Sequence, residues 1–304
     1  MKRAVVVGFG SIGSRHARLL SELDIDVAVV SRRETDAARR YETIADALSD
    51  FGPDLVVVAS RTGEHAGDLA RLASAGFAGT VLVEKPLFGR VAEIPENRFE
   101  RAFVAFNMRF HPLADAFGKA LEGRPVHSLF AYVGQYLPDW RPDSDYRAGY
   151  SASRAAGGGV LRDLCHEIDL VRLFGGAPRA ATALGGKVSG LEIDSDDTFS
   201  LLLELDACPV ATITMNYLDA RLRRFLVAQT DGGTVCADFA AGILADGAAE
   251  TPVPAGRDES YRAQLQAVLD GDDERLCSLA GGAAIDAVIE GAERASNDRI
   301  WISL

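Results

Sequence analysis

Short apolar runs separated by amphipathic stretches fill the first third of the chain. Ala4-Val5-Val6-Val7, Val27 to Val30, Leu55-Val56-Val57-Val58-Ala59, Val81 to Val83 and Phe103-Val104-Ala105-Phe106 show no polar alternation, the pattern of strands buried on both faces of a parallel sheet. Helical spacing lies between them, first in Ser14 to Leu20 and later in a segment ending near Gly76. This α/β alternation predicts a doubly wound parallel sheet over residues 1–107. Beyond residue 107 the pattern changes: His127 to Gly134, Ala180 to Lys187, Thr198 to Leu205, Val210 to Tyr217, Phe225 to Thr230 and Thr234 to Asp238 read as strands, with turn signals such as Asp231-Gly232-Gly233 between them. A second domain is therefore expected over residues 108–304, an α+β unit on an open, mostly antiparallel sheet. The outward face of that sheet either makes the contact of a homodimer or homotetramer or is covered by other parts of the chain.

Two turns of the first domain carry candidate chemistry. After the first strand comes Gly8-Phe9-Gly10-Ser11-Ile12-Gly13, then a helix. At that spacing Gly8 takes the tight turn, Gly10 admits a pyrophosphate to bare backbone, and Gly13 packs the helix on the sheet, with Ser11 and Ile12 at the helix N-terminus. A dinucleotide site is expected there. The second strand ends in Ser31-Arg32-Arg33, where an NAD enzyme carries a carboxylate for the ribose; a hydroxyl and two guanidinium groups suit a 2′-phosphate instead. These residues predict NADP in preference to NAD, unless Arg32 and Arg33 merely open a solvated helix. The loop Ser60-Arg61-Thr62-Gly63-Glu64-His65 opens at the same edge of the sheet. Ser60, Thr62 and His65 are expected beside the cofactor, with packing of its own helix the other reading for His65.

The strand Thr80 to Val83 runs directly into Glu84-Lys85-Pro86. Ligands of open parallel sheets lie outside the carboxyl ends of the strands, so Glu84 and Lys85 are placed to meet one, and a cis bond before Pro86 would fix the direction of the lysine. In the second domain, Gly157-Gly158-Gly159 precedes Val160 to Phe174, where Leu161, Leu164, Ile168 and Val171 recur at the spacing of one continuous helix. Asp163 and Asp169 lie three residues either side of His166, which makes each pair neighbours on that helix. The group serves either as acid/base machinery or as a salt-bridged face. Arg109 and His111 fall at the domain junction, where Arg109 is expected to meet the substrate. The stretch Gly134 to Arg147, with Tyr136 and Trp140, suits a polyhydroxylated ligand or else an ordered connection.

Composition narrows the partners. The chain has 304 residues, 48% hydrophobic and 25% charged, with a net charge of -12. The acidity belongs to the second half, since residues 1–107 hold 14 Lys+Arg against 15 Asp+Glu, and the rest 18 against 29. Such a surface repels phosphate backbones, which argues against nucleic acid. No apolar run approaches the roughly 20 residues of a membrane span, and the first strand begins too early for a signal peptide, so a cytoplasmic protein is expected. Cys165, Cys208, Cys236 and Cys277 are scattered without metal-ligand spacing, and neither a disulfide framework nor a metal site is expected.

Taken together, the glycine loop, Thr62 to His65, Glu84-Lys85-Pro86, Asn107 to Pro112 and the glycine run leading to His166 and Asp169 resemble the Gfo/Idh/MocA oxidoreductase family over nearly the whole chain. The resemblance implies a Rossmann domain followed by an α/β domain with an open sheet, and NAD(P)-dependent hydride transfer at a sugar or cyclitol hydroxyl. It also implies that Lys85 meets the reacting oxygen and that His166 is the acid/base. The family sets its helix aspartate four residues before that histidine, whereas Asp163 is three before it here, with Cys165 in the gap. Gly134 to Pro142 and Leu164 to Asp169 resemble a subgroup associated with surface-polysaccharide and nonulosonic-sugar biosynthesis. Non-catalytic members resembling the yeast galactose repressor, and redox-neutral epimerases or glycosidases that keep their cofactor bound, define the alternatives.

Overall fold

The apolar runs of the first third become the strands Arg3–Val7, Asp26–Val30, Leu55–Val58, Thr80–Val83 and Arg101–Val104, with a short Arg40–Tyr41 at one edge. They lie side by side, all parallel, in the order Arg101–Val104, Thr80–Val83, Leu55–Val58, Arg3–Val7, Asp26–Val30, Arg40–Tyr41. Chain order reverses between Arg3–Val7 and Leu55–Val58, and that switch point is where ligands enter such sheets. The helices Ser11–Glu22, Ile44–Phe51 and His65–Ser74 connect the strands. This computed structural model describes residues Met1–Leu304.

A single cut after Asn107 does not describe the division of the chain. Met1–Asn107 and Tyr261–Asp286 form one compact unit, and Met108–Ser260 with Ala287–Leu304 the other. The returning segment adds the strand Cys277–Ser278, antiparallel to Arg101–Val104. Arg101 is its main polar tie, donating from Nε to Asp273 at 2.9 Å and from Nη1 to the Val268 carbonyl at 2.8 Å. Leu265, Val268, Leu276 and Ile285 are buried, and a side chain at Gly282 would run into Val104 and Leu87. A two-residue strand has no periodicity to read, so the return is invisible in the hydrophobic pattern.

The second unit is a nine-stranded sheet in the order Ala249–Pro252, Ile243–Asp246, Gly233–Asp238, Arg223–Thr230, Val126–Gly134, Val210–Asn216, Thr198–Leu205, Pro178–Gly186, Ile302–Ser303. Only the central pair, Val210–Asn216 with Val126–Gly134, is parallel. Leu129, Ala131, Val133, Ala211, Ile213, Leu201 and Leu203 face inward and are buried. Alternate positions of the sheet face out, among them Phe130, Val210 and, on Pro178–Gly186, Leu184, which are exposed. The helix Pro112–Leu121 begins at Pro112, with the His111 side chain accepting the Leu113 N–H at 3.1 Å. Burial, reinforced by the charge of Arg224, lowers the pKa of that imidazole.

The continuous helix expected over Val160 to Phe174 is two helices, Val160–Asp163 and His166–Gly175, parted at Leu164-Cys165. Its first turn is pinned from outside: the Asp196 carbonyl accepts the Val160 N–H and its carboxylate accepts the Leu161 N–H, both at 3.0 Å. Gly159 has φ +125°, and any side chain there would strike Asp196. Gly159 is therefore required by this close approach, and Gly158 by that of the Tyr150 carbonyl. Leu164 leaves helical geometry at φ -105° and ψ 24°, and the next helix restarts after Cys165.

Candidate active site

Gly8 follows Arg3–Val7 at φ +90°, and a Cβ on it would lie 2.6 Å from the Ala59 carbonyl oxygen. A side chain on Gly13 would overlap the Gly8 carbonyl. These two glycines are demanded by the fold itself. Gly10 differs: it is the N-cap of Ser11–Glu22, has no side-chain cap, and a Cβ there meets nothing within 4 Å. The first turn of that helix holds no acid, so its unpaired N–H groups and positive dipole end are open to an anion. The residues fit a dinucleotide pyrophosphate. Gly10→Ala should keep its melting temperature yet lose cofactor affinity, about tenfold or more for a blocked backbone approach, whereas Gly13→Ala should impair folding; differential scanning fluorimetry alongside a nucleotide titration separates the two.

At the end of Asp26–Val30, Ser31 Oγ accepts the Arg33 N–H at 3.1 Å and donates to the Arg33 carbonyl at 3.0 Å, so the hydroxyl is engaged in its own turn. Arg40 donates to the Ser31 carbonyl at 2.9 Å. Arg32 and Arg33 are exposed, and Arg32 Nη2 donates to Glu64 Oε1 at 3.1 Å. Beyond Leu55–Val58, Ser60 donates to the buried Asp68 carboxylate at 2.6 Å, and Thr62 is buried at the start of a 3₁₀ turn. His65 is buried with Nδ1 3.2 and 3.1 Å from the Pro86 and Leu87 carbonyl oxygens and Nε2 3.2 Å from that of Ser60. Of the two readings open for His65, its contacts are those of packing: the ring ties the Ser60 loop to the segment after Lys85.

Glu84 and Lys85 follow Thr80–Val83, and the Lys85–Pro86 bond is cis. The Glu84 carboxylate is buried, accepting from His16 Nε2 at 2.7 Å and from the Lys85 N–H at 3.1 Å. Burial works to raise its pKa, but the His16 hydrogen bond, with the charges of His16 and Lys85, outweighs it and holds the group below the usual carboxylate range. The anion is thereby kept beside the lysine. Expected among the cofactor contacts, Glu84 turns its carboxylate to His16 and the backbone instead. His16 also packs edge-on against Tyr261 of the returning segment, at 6.0 Å, and Arg15 lies over the same ring at 4.9 Å. Neither His16 nor Tyr261 stands out by motif; the available signal is a histidine at the buried i, i+3, i+7 positions Gly13, His16 and Leu20.

In the second unit, each aspartate flanking His166 has a partner on another element. Asp163 Oδ2 accepts from the Tyr217 hydroxyl at 2.6 Å. Burial and the Asp163 carboxylate push that phenol well up. Asp169 takes a two-pronged bond from Arg109, Nε to Oδ2 at 2.8 Å and Nη2 to Oδ1 at 2.6 Å, both residues buried. Burial raises the Asp169 pKa against the pull of this fork. His166 is itself buried; it shares the helix His166–Gly175 with Asp169, while Asp163 ends the preceding short helix. Arg109, expected to meet substrate, gives this fork to Asp169. Trp140 packs edge-on against Tyr217 at 5.2 Å and donates to the Gln135 carbonyl at 3.3 Å, while Tyr136 is exposed. Trp140, Tyr217 and Asp163 thus form one cluster. Tyr217 closes an ordinary strand pattern, and no sequence signal marks it.

No disulfide joins the four cysteines, and no group of three or more His, Cys, Asp or Glu side chains has the arrangement of a metal site. No helix is long and apolar enough to cross a membrane.

The glycine turn at the switch point of a parallel sheet, with a lysine ending a nearby strand and a second unit on an open sheet, defines a nicotinamide-dinucleotide-dependent oxidoreductase. Residues 2–98 match the oxidoreductase family with NAD-binding Rossmann fold, and residues 123–262 match the GFO/IDH/MocA C-terminal domain. The chain belongs to the Gfo/Idh/MocA family. Among solved structures it is similar to GenD2 from gentamicin A biosynthesis in complex with NAD, at 27% identity and TM-score 0.80, over 100% of this chain and 96% of that one. The fold is shared with levoglucosan dehydrogenase in complex with NADH, at 16% identity and TM-score 0.84 over 99% and 98% of the two chains. It is shared too with the WlbA dehydrogenase from Bordetella pertussis in complex with NADH and UDP-GlcNAcA, at 18% identity and TM-score 0.78 over 100% and 97%. No curated protein sequence matches.

Proposed function

We propose that the protein is a dehydrogenase or reductase acting on a hydroxyl or carbonyl carbon of a sugar or sugar-derived substrate, such as a cyclitol or nonulosonic precursor, with NADP preferred over NAD. One observation carries the reading: Glu84, at the root of Lys85, is tied by a buried 2.7 Å bond to His16 on the helix that opens at the glycine loop. The cofactor, when bound, supplies the hydride acceptor or donor. Gly8, Gly10, Ser11, Ile12 and Gly13 hold its pyrophosphate, and Ser31 to Arg33 lie toward its ribose. Lys85 Nζ holds the reacting oxygen and stabilises charge that develops on it. His166 moves the hydroxyl proton through an imidazole nitrogen, with Asp163, Tyr136 and Trp140 toward the substrate.

The sugar class is supported by the family and by what the similar proteins bind: GenD2 belongs to gentamicin A biosynthesis, and WlbA was solved with UDP-GlcNAcA. A homodimer or homotetramer through the outward face of the nine-stranded sheet is part of the proposal, supported by exposed Phe130, Val210 and Leu184. The test is a panel of sugars, cyclitols and nucleotide sugars assayed for change in nicotinamide absorbance, with product analysis in parallel. Net cofactor reduction or oxidation with a sugar substrate is expected. A converted sugar with no net cofactor change would instead indicate redox-neutral chemistry.

A further inference from the structure

The strand after which Arg32 falls, Asp26–Val30, and the strand that leads to Glu64, Leu55–Val58, flank Arg3–Val7 on its two sides. Their following loops are joined by the Arg32–Glu64 ion pair, at 3.1 Å, along the same sheet edge as the glycine loop. An acid is therefore paired with the guanidinium that follows the second strand, delivered from a residue 32 places further on. We propose that Glu64 is a specificity-determining residue: it competes with a 2′-phosphate for the Arg32 guanidinium and so holds the enzyme to dual use of NADP and NAD. This inference rests on the reading of Arg32 as a 2′-phosphate partner.

The chemistry is a displacement at one guanidinium. A ribose 2′-hydroxyl leaves the Arg32–Glu64 pair intact, whereas a 2′-phosphate must take Arg32 from Glu64 and then stand near the released carboxylate. Arg32 is the more solvent-exposed partner, at 83% against 42% for Glu64, so the pair is weak and exchangeable. Ser31 is held in its own turn and Arg40 on the Ser31 carbonyl, which leaves Arg32 and the exposed Arg33 as the cations available there. Glu64 therefore opposes NADP without opposing NAD. The charge rule that reads cofactor preference from the end of the second strand alone misses this residue.

Nucleotide-free wild-type protein, Glu64→Gln, Arg32→Ala and the double variant are titrated with NADPH and with NADH, following nicotinamide fluorescence at low and high salt. Glu64→Gln is expected to tighten NADPH about fivefold at low salt, within the range of an exposed charge pair, and to leave NADH within about twofold. The gain should shrink at high salt and vanish when Arg32 is already alanine. Equal changes for both cofactors, or none for NADPH while Arg32→Ala weakens it, would overturn the role of Glu64 alone. An Arg32→Ala protein with unchanged NADPH affinity would remove the phosphate reading itself, and the inference with it.

Discussion

Lys85→Met is expected to bind its nicotinamide cofactor as the wild type does and to lose turnover by about 10²- to 10³-fold, the range for removing one donor that stabilises a developing oxyanion. The lysine ends Thr80–Val83, with Glu84 anchored to His16 and to the Lys85 N–H. The variant keeps that buried pair and the backbone around it, so only the side-chain cation is deleted. Methionine has similar length and no charge. The loss should fall on kcat and kcat/KM together, as for an interaction made in the transition state. Steady-state kinetics on the substrate found by the panel, with cofactor affinity measured separately, checks this. Full turnover with intact cofactor binding would remove Lys85 from the chemistry.

The second large effect is on stability. Arg109 and Asp169 are both buried, at 6% and 0% side-chain exposure, and share a two-pronged bond. Asp169→Ala leaves a guanidinium buried without its carboxylate, at a cost of about 3–5 kcal/mol. For a unit of this size that lowers the unfolding midpoint of the second unit by roughly 10 °C. Replacing both partners, Arg109→Met with Asp169→Leu, should recover much of the loss, because the penalty arises from one orphaned charge. Thermal melts of the single and double variants test it. A single variant that melts with the wild type while KM rises sharply would instead return Arg109 to substrate binding.

Legibility in the sequence followed the physical signal available to each element. The valine runs of the first sheet and the alternating strands of the second were readable because burial on two faces and on one face leave different periods. Gly8 and Gly13 were readable because their backbone geometry and close approach exclude side chains. The apolar spacing around His166 continues through Leu164-Cys165, so no local period reports the break there, nor the hold of Asp196 on the first turn from more than thirty positions away. For the same reason the tertiary partners of the carboxylates flanking His166, Tyr217 for Asp163 and Arg109 for Asp169, are not legible in the local spacing. His16 sat unnoticed on an apolar stripe, since only the fold reveals that Glu84 lies opposite it.

Binding of a nicotinamide dinucleotide at the glycine loop is the claim on which the catalytic assignments depend. Titrating nucleotide-free protein with NADPH and NADH, followed by nicotinamide fluorescence, measures it without a known substrate. Saturable binding of both, tighter for NADPH and weakened in Gly10→Ala, is the predicted result; binding of neither by folded wild-type protein would contradict the account.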